Sequence, residues 1–208
     1  MVISLIGVGK SITAALLNQI ITASNQTAMT GLVPTSVAGT GVTVAPGGAI
    51  TITNGTSMSV NGVFSGTFDN YRITWTSSTR SSTNSLGFRL RAAGTDLTAA
   101  TYDFVRGVDS GTTRAVTSSS ATTSPPIDLG IAAGMTSNGV VDLFGPALVA
   151  PTTAQVQATL LSASVMSSSQ VGFVAESTAA YDGFTIAVTS PNTWSGVVRV
   201  YGYNNLTG

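Results

Sequence analysis

Apolar and polar residues alternate along several short stretches of the chain. Tyr71, Ile73 and Trp75 fall on one side of an extended backbone, with Arg72, Thr74 and Thr76 on the other. Leu86, Phe88 and Leu90 likewise oppose Arg89 and Arg91, and Phe184, Ile186 and Val188 repeat the period of two near the end. Runs rich in Val, Ile, Thr, Tyr and Phe, broken by Gly, Asn, Asp, Ser and Pro, predict strands at Ala49–Asn54, Ser57–Phe64, Tyr71–Ser77, Ser85–Ala92, Thr101–Arg106 and Thr112–Ser118. Further strands are predicted at Val140–Phe144, Ala154–Ser164, Gln170–Ala175, Gly183–Thr189 and Gly196–Tyr203. Only the beginning has a helical period: Ile12, Leu16 and Ile20 recur every four residues with Leu17 beside them, predicting a short amphipathic helix over Ser11–Ala23 capped by Ser11. Residues Thr22–Thr43 show no period and read as an extended arm, and the low-complexity stretch Thr112–Pro126, with its run Thr117–Ser124, reads as a loop between sheets. The expected organisation is a helix and arm over residues 1–40 that anchor the protein, followed by an all-β, antiparallel, jelly-roll-like sandwich over 41–208.

Composition sharpens this picture. One Lys and one Glu in 208 residues suit strands far better than helices. Charged residues make up 8% of the chain, eight acidic against eight basic, whereas an average domain carries roughly 25%. So sparse a charge implies a surface covered by other subunits, and it lacks the basic footprint of a nucleic-acid binder. The hydrophobic fraction of 43% with no net charge is the reverse of a disorder signature. The absence of Cys and His removes disulfides, thiolate nucleophiles, imidazole bases and the usual zinc ligands.

The remaining motifs point away from catalysis. Gly7-Val8-Gly9-Lys10-Ser11 resembles a phosphate loop, but the first Gly of that pattern, separated from Gly9 by four residues, is replaced by Ser4. Lys10 lies inside the first apolar stretch rather than ahead of it, and Thr13, Asn18 and Gln19 interrupt that stretch. It is therefore read as neither a cleaved signal nor a membrane span. Seven Asp and one Glu are scattered one per segment, many beside turn residues, with no calcium-loop spacing. No enzyme activity, cofactor or metal is expected. Arg72, Arg89, Arg91 and Arg106 are candidates for a row on a polar sheet face, either paired with Asp69, Asp96 or Asp103 or facing an acidic glycan. Trp194, Arg199, Tyr201 and Tyr203 are candidates for a surface-binding or interface patch, with Val198 and Val200 turned inward.

Phe68-Asp-Asn-Tyr-Arg-Ile73, then Leu86-Gly-Phe-Arg-Leu-Arg-Ala-Ala-Gly-Thr-Asp96, Tyr102 and the ending Gly196-Val-Val-Arg-Val-Tyr-Gly-Tyr203 resemble segments of virion proteins of tailed bacteriophages. Ile12-Thr-Ala-Ala-Leu-Leu-Asn18 is similar to their short helical opening. The resemblance covers Ser57–Asp103 and Tyr181–Tyr203, and it is one of strands and turns with no catalytic signature. It implies a non-enzymatic structural protein of the virion, assembled in the bacterial cytoplasm, with a tail-fibre or tail-tip place and host-surface binding. A capsid decoration or head-fibre place, or a carbohydrate-binding module, are the alternatives. The implied partners are a homotrimer of the chain, other virion proteins docked through Ile12, Leu16, Leu17 and Ile20, and a host surface glycan. Neither nucleic acid nor membrane is among them.

Overall fold

The computed structural model describes residues 29–81, 85–128, 135–162, 165–188 and 191–204. The helix expected over Ser11–Ala23, with its stripe Ile12, Leu16, Leu17 and Ile20, lies outside them. Among the described residues the fold is all-β and sandwich-like, built of two antiparallel sheets without a helix.

The first three strands are short: β1 (Met29–Leu32), β2 (Ser36–Ala38) and β3 (Val42–Val44). Next come β4 (Ile50–Gly55), β5 (Ser57–Asn61), β6 (Asn70–Arg80), β7 (Gly87–Ala92) and β8 (Thr95–Asp96). Then come the hairpin β9 (Tyr102–Ser110) with β10 (Thr113–Thr122), and the meander β11 (Thr136–Phe144), β12 (Thr152–Ser162) and β13 (Val165–Ala175). The chain closes with β14 (Gly183–Ala187) and β15 (Trp194–Tyr203). The ten-stranded sheet runs β10-β9-β13-β12-β11-β6-β15-β4-β3, and β1 joins β15 on the edge that β4 leaves free. The five-stranded sheet runs β2-β5-β14-β7-β8.

Alternation decides what lies between the sheets. Tyr71, Ile73, Trp75, Val141, Leu143, Val198 and Val200 of the larger sheet are buried, as are Met58, Val60, Phe88, Leu90, Phe184 and Ile186 of the smaller. Aromatic rings tie the core together: Phe88 stacks on Phe184 at 5.5 Å between centroids and meets Phe173 at 5.7 Å, and Phe64 sits 4.7 Å from Tyr71. Two buried tyrosine hydroxyls are matched to backbone. Tyr102 accepts from the Leu90 amide at 2.8 Å, and Tyr71 accepts from the Ser65 amide while donating to its carbonyl.

Three expectations change. The arm over Thr22–Thr43 is strand where it is described: Met29–Leu32 pairs with β15 and Ser36–Ala38 with β5, so residues 29–38 stitch into both sheets instead of standing ahead of a sandwich that begins at 41. Thr117–Thr122 is the second half of β10 rather than a loop. Thr suits a pleated, solvated strand, and this one is exposed up to its last residue. Trp194 is 1% exposed and belongs to the core, not to a surface patch. It shares the even parity of the inward Val198 and Val200, which decides its side.

Candidate functional site

The outward face of the ten-stranded sheet carries a row of side chains in register across seven strands. From β10 inward it reads Ser118, Val105, Gly172, Gln155, Asp142, Arg72 and Tyr201. A parallel row two residues along each strand reads Asp103, Val174, Thr153, Phe144 and Asn70. From β9 to β15 these residues stand together because each strand's opposite parity faces the core, and Ser118 joins them through the pairing of β10 with β9.

One end of the row is a salt-bridged cluster. Arg72 donates from Nε to Asp142 Oδ1 at 2.7 Å and from Nη2 to Oδ2 at 2.6 Å, a bidentate pair. Tyr203 donates its hydroxyl to the same Asp142 Oδ1 at 2.7 Å, and the Arg72 guanidinium lies 5.6 Å from the Tyr203 ring centroid. Burial by itself would raise the Asp142 carboxyl. The hydrogen bonds from Arg72 and Tyr203 together with the Arg72 charge outweigh it and hold Asp142 below the ordinary carboxylate range. Burial, and then the bond to Asp142, push the Tyr203 phenol up to about 12. Tyr201 and Arg199 flank the cluster opposite Arg72 and Thr74, with Arg199 exposed.

The other end is an open groove of about 680 Å³. Gly172 forms its floor, Val105, Val174 and Phe144 give apolar surface, and Ser118–Ser120, Thr153, Gln155 and Asp103 give polar edges. A β-bulge between Ser119 and Thr122 shapes the rim: Ala121 takes φ 54° and its amide donates to Asp103 Oδ1 at 2.8 Å. Asp103 is the sole charge on the groove wall.

The arginines expected to share one face are dispersed. Arg91 is 9% exposed on the five-stranded sheet, where it donates to Asp96, Asn61, Ser59, Thr185 and the Gly94 carbonyl. Asp96 is one of the partners proposed for it from sequence. Arg89 lies beside it, donating to the Thr123 carbonyl at 3.1 Å and 4.0 Å from Asp96, on the wall of a second depression of about 540 Å³. Arg72 lies on the far sheet with Asp142, a partner 70 residues away that no local signal reveals. Arg106 has the core-facing parity of β9. Arg89 and Arg91 therefore face the opposite way from Arg199, Tyr201 and Tyr203.

The groove face holds three carboxylates, Asp103 and Asp109 on β9 and Asp142 on β11, with Asp109 facing Arg114. Asp103 and Asp142 are three strand spacings apart, about 14 Å at about 4.8 Å per spacing, and Asp109 lies further along β9, about 20 Å from Asp103 at about 3.4 Å per residue. Paired carboxylates that cleave glycosides stand about 5–9.5 Å apart. Among the described residues no three His, Cys, Asp or Glu side chains come together as a metal site would require, and no helix is long and apolar enough to cross a membrane. Compared with known proteins, the chain matches no family model and no curated protein.

Proposed function

We propose that the chain is a non-enzymatic structural protein of a tailed-bacteriophage virion, a tail-fibre or tail-tip component that contacts the host surface. The observation that carries this reading is the strand order. In the larger sheet β4-β15-β6-β11, and in the smaller β5-β14-β7-β8, make eight strands between which the chain repeatedly changes sheet, which supports the reading of a double-sheet jelly roll. The hairpins β9–β10 and β12–β13 widen only one of the two sheets, and the extra width is where the groove lies. Jelly rolls of this kind serve viral particles and lectins alike. The sparse charge suits a surface shared with other subunits, including further copies in a homotrimer. The wide carboxylate separation supports a face that binds without cutting.

Locating the protein in a reconstruction of the virion that carries it tests this reading. Density at the tail tip or fibre is the expected result. Density over the capsid surface would replace it with the decoration or head-fibre reading. Absence of the chain from purified particles would overturn both.

A further inference from the structure

We infer that the groove floored by Gly172 is a binding site for a neutral saccharide; this rests on the surface-contact part of the function proposed above and names its ligand class. Glycine inside a strand weakens it and calls for a reason, such as a bulge, a close backbone or a ligand. Most strand glycines here have a reason within the protein. A Cβ on Gly139 would run into the Trp75 ring, on Gly183 into the Val60 carbonyl, on Gly196 into the Thr76 carbonyl, and on Gly202 into the Phe68 ring. Gly172 differs: a Cβ there meets nothing within 4 Å, and its φ is not in the left-handed region. The fold would accept any β-former at this position, and the only thing its missing side chain provides is depth in the groove.

The lining selects the ligand. Phe144, 40% exposed, and Val105, 57% exposed, offer apolar surface to the C–H faces of a sugar ring. Gln155 and the hydroxyls of Ser118–Ser120 offer the donors and acceptors that its hydroxyl edges need. No cation is among the groove's lining residues; Arg72 in the same row is already saturated by both Asp142 oxygens, and Arg114, over Gly107 beside the groove, faces Asp109 at 3.8 Å. With Asp103 on the wall, an anionic glycan would meet repulsion. About 680 Å³ lies within the roughly 300–1,000 Å³ range of ligand sites and accommodates a short stretch of glycan.

Titration calorimetry of the full chain with mannohexaose, maltohexaose and cellohexaose, and with oligogalacturonate as the anionic probe, tests the inference. The expected result is binding of a neutral oligosaccharide and none of oligogalacturonate. Gly172→Val should weaken that binding at least tenfold while melting at the same temperature as the native chain or higher. Phe144→Ala should weaken it and Phe144→Tyr should keep it. Neutral-sugar binding that survives Gly172→Val unchanged would overturn the groove as the site. A native chain that labels host cells yet binds none of the neutral probes would overturn the ligand class and leave the surface-contact reading standing. A chain that binds neither cells nor sugars would overturn both.

Discussion

Truncating the Asp128 carboxylate to a methyl group, Asp128→Ala, should destabilise the protein by about 3–5 kcal/mol, the usual cost of leaving a buried charge without its counter-ion. Asp128 and Arg80 face each other with side chains 0% and 1% exposed. Asp128 Oδ1 also accepts from the Leu86 amide at 2.8 Å, and its Oδ2 accepts from Ser137 Oγ at 3.2 Å. Arg80 further donates to Ser77 Oγ at 3.3 Å and to Ser137 Oγ at 3.0 Å. One carboxylate thus links the end of β6, the entry to β7 and the start of β11. Its loss takes the facing carboxylate from the guanidinium and orphans the Leu86 amide, itself worth about 1–3 kcal/mol, although the two costs overlap. At roughly 2–4 °C per kcal/mol in a chain of this size, the midpoint should fall by roughly 6–20 °C. Urea unfolding followed by tryptophan emission is a suitable assay, because both tryptophans, Trp75 and Trp194, are buried and Trp194 lies directly across from Arg80. The double variant Arg80→Met/Asp128→Leu should be less destabilised than the sum of its singles by at least about 1 kcal/mol, since neither charge then remains. A loss under about 1 kcal/mol for Asp128→Ala, or strict additivity in the cycle, would refute the reasoning.

Two other outcomes follow from the same coordinates. Asp142 has its carboxyl lowered in the fold, so its contribution is present above the ordinary carboxylate pKa and is lost as pH falls through the folded value. Asp142→Asn should therefore cost about 1 kcal/mol near pH 7, with the gap to the native chain closing in acid; a gap that stays constant down to pH about 2 contradicts this. A chain begun at Gly41 lacks β1 and β2 and with them Leu32 and Val37, both packed on the core. Part-burial of two such side chains makes a loss of roughly 2–4 kcal/mol, seen as a lower calorimetric midpoint than the full chain, and equal midpoints would contradict the stitching of these strands.

Period-two alternation was enough to locate strands wherever one face is buried. The inner faces of β6, β7 and β14 carry the residues expected of them, and each of the eleven stretches predicted from β-rich runs between turn residues overlaps a strand. What the pattern missed has little burial to reveal it. Ser36–Ala38 and Thr95–Asp96 are two or three small or polar residues held at sheet edges by backbone pairing. The Ser/Thr half of β10 has no buried face at all. Parity was legible at Trp194, which sits in step with Val198, but the bulge after Ser195 and the general tendency of tryptophan toward interfaces point the other way. The candidate site was the least legible part. Tyr203 and Asp142 lie 61 residues apart and meet only through β6 between their strands, and Gly172 becomes conspicuous only once the space above it is known.

The pairing of β1 with β15 has a mechanical consequence. Met29 lies across from Tyr203, and Thr30 donates to Asn204 at 3.0 Å, so the first and last described residues lie side by side at one pole. Tension applied ahead of Met29 and directed away from that pole runs along the axis of β1. The interstrand bonds lie perpendicular to the strands, so they share such a load in shear instead of breaking one by one. If β1 slips, the next residues to take the strain are Ser36–Ala38, which grip the opposite sheet. Asn70, Phe144, Thr153 and Val174 continue the row that Met29 and Tyr203 begin, so the groove and Met29 stand level along the strands, and a pull between those two points would act across the strands instead. The same force applied sideways at the free edge of β10 would unzip that strand residue by residue.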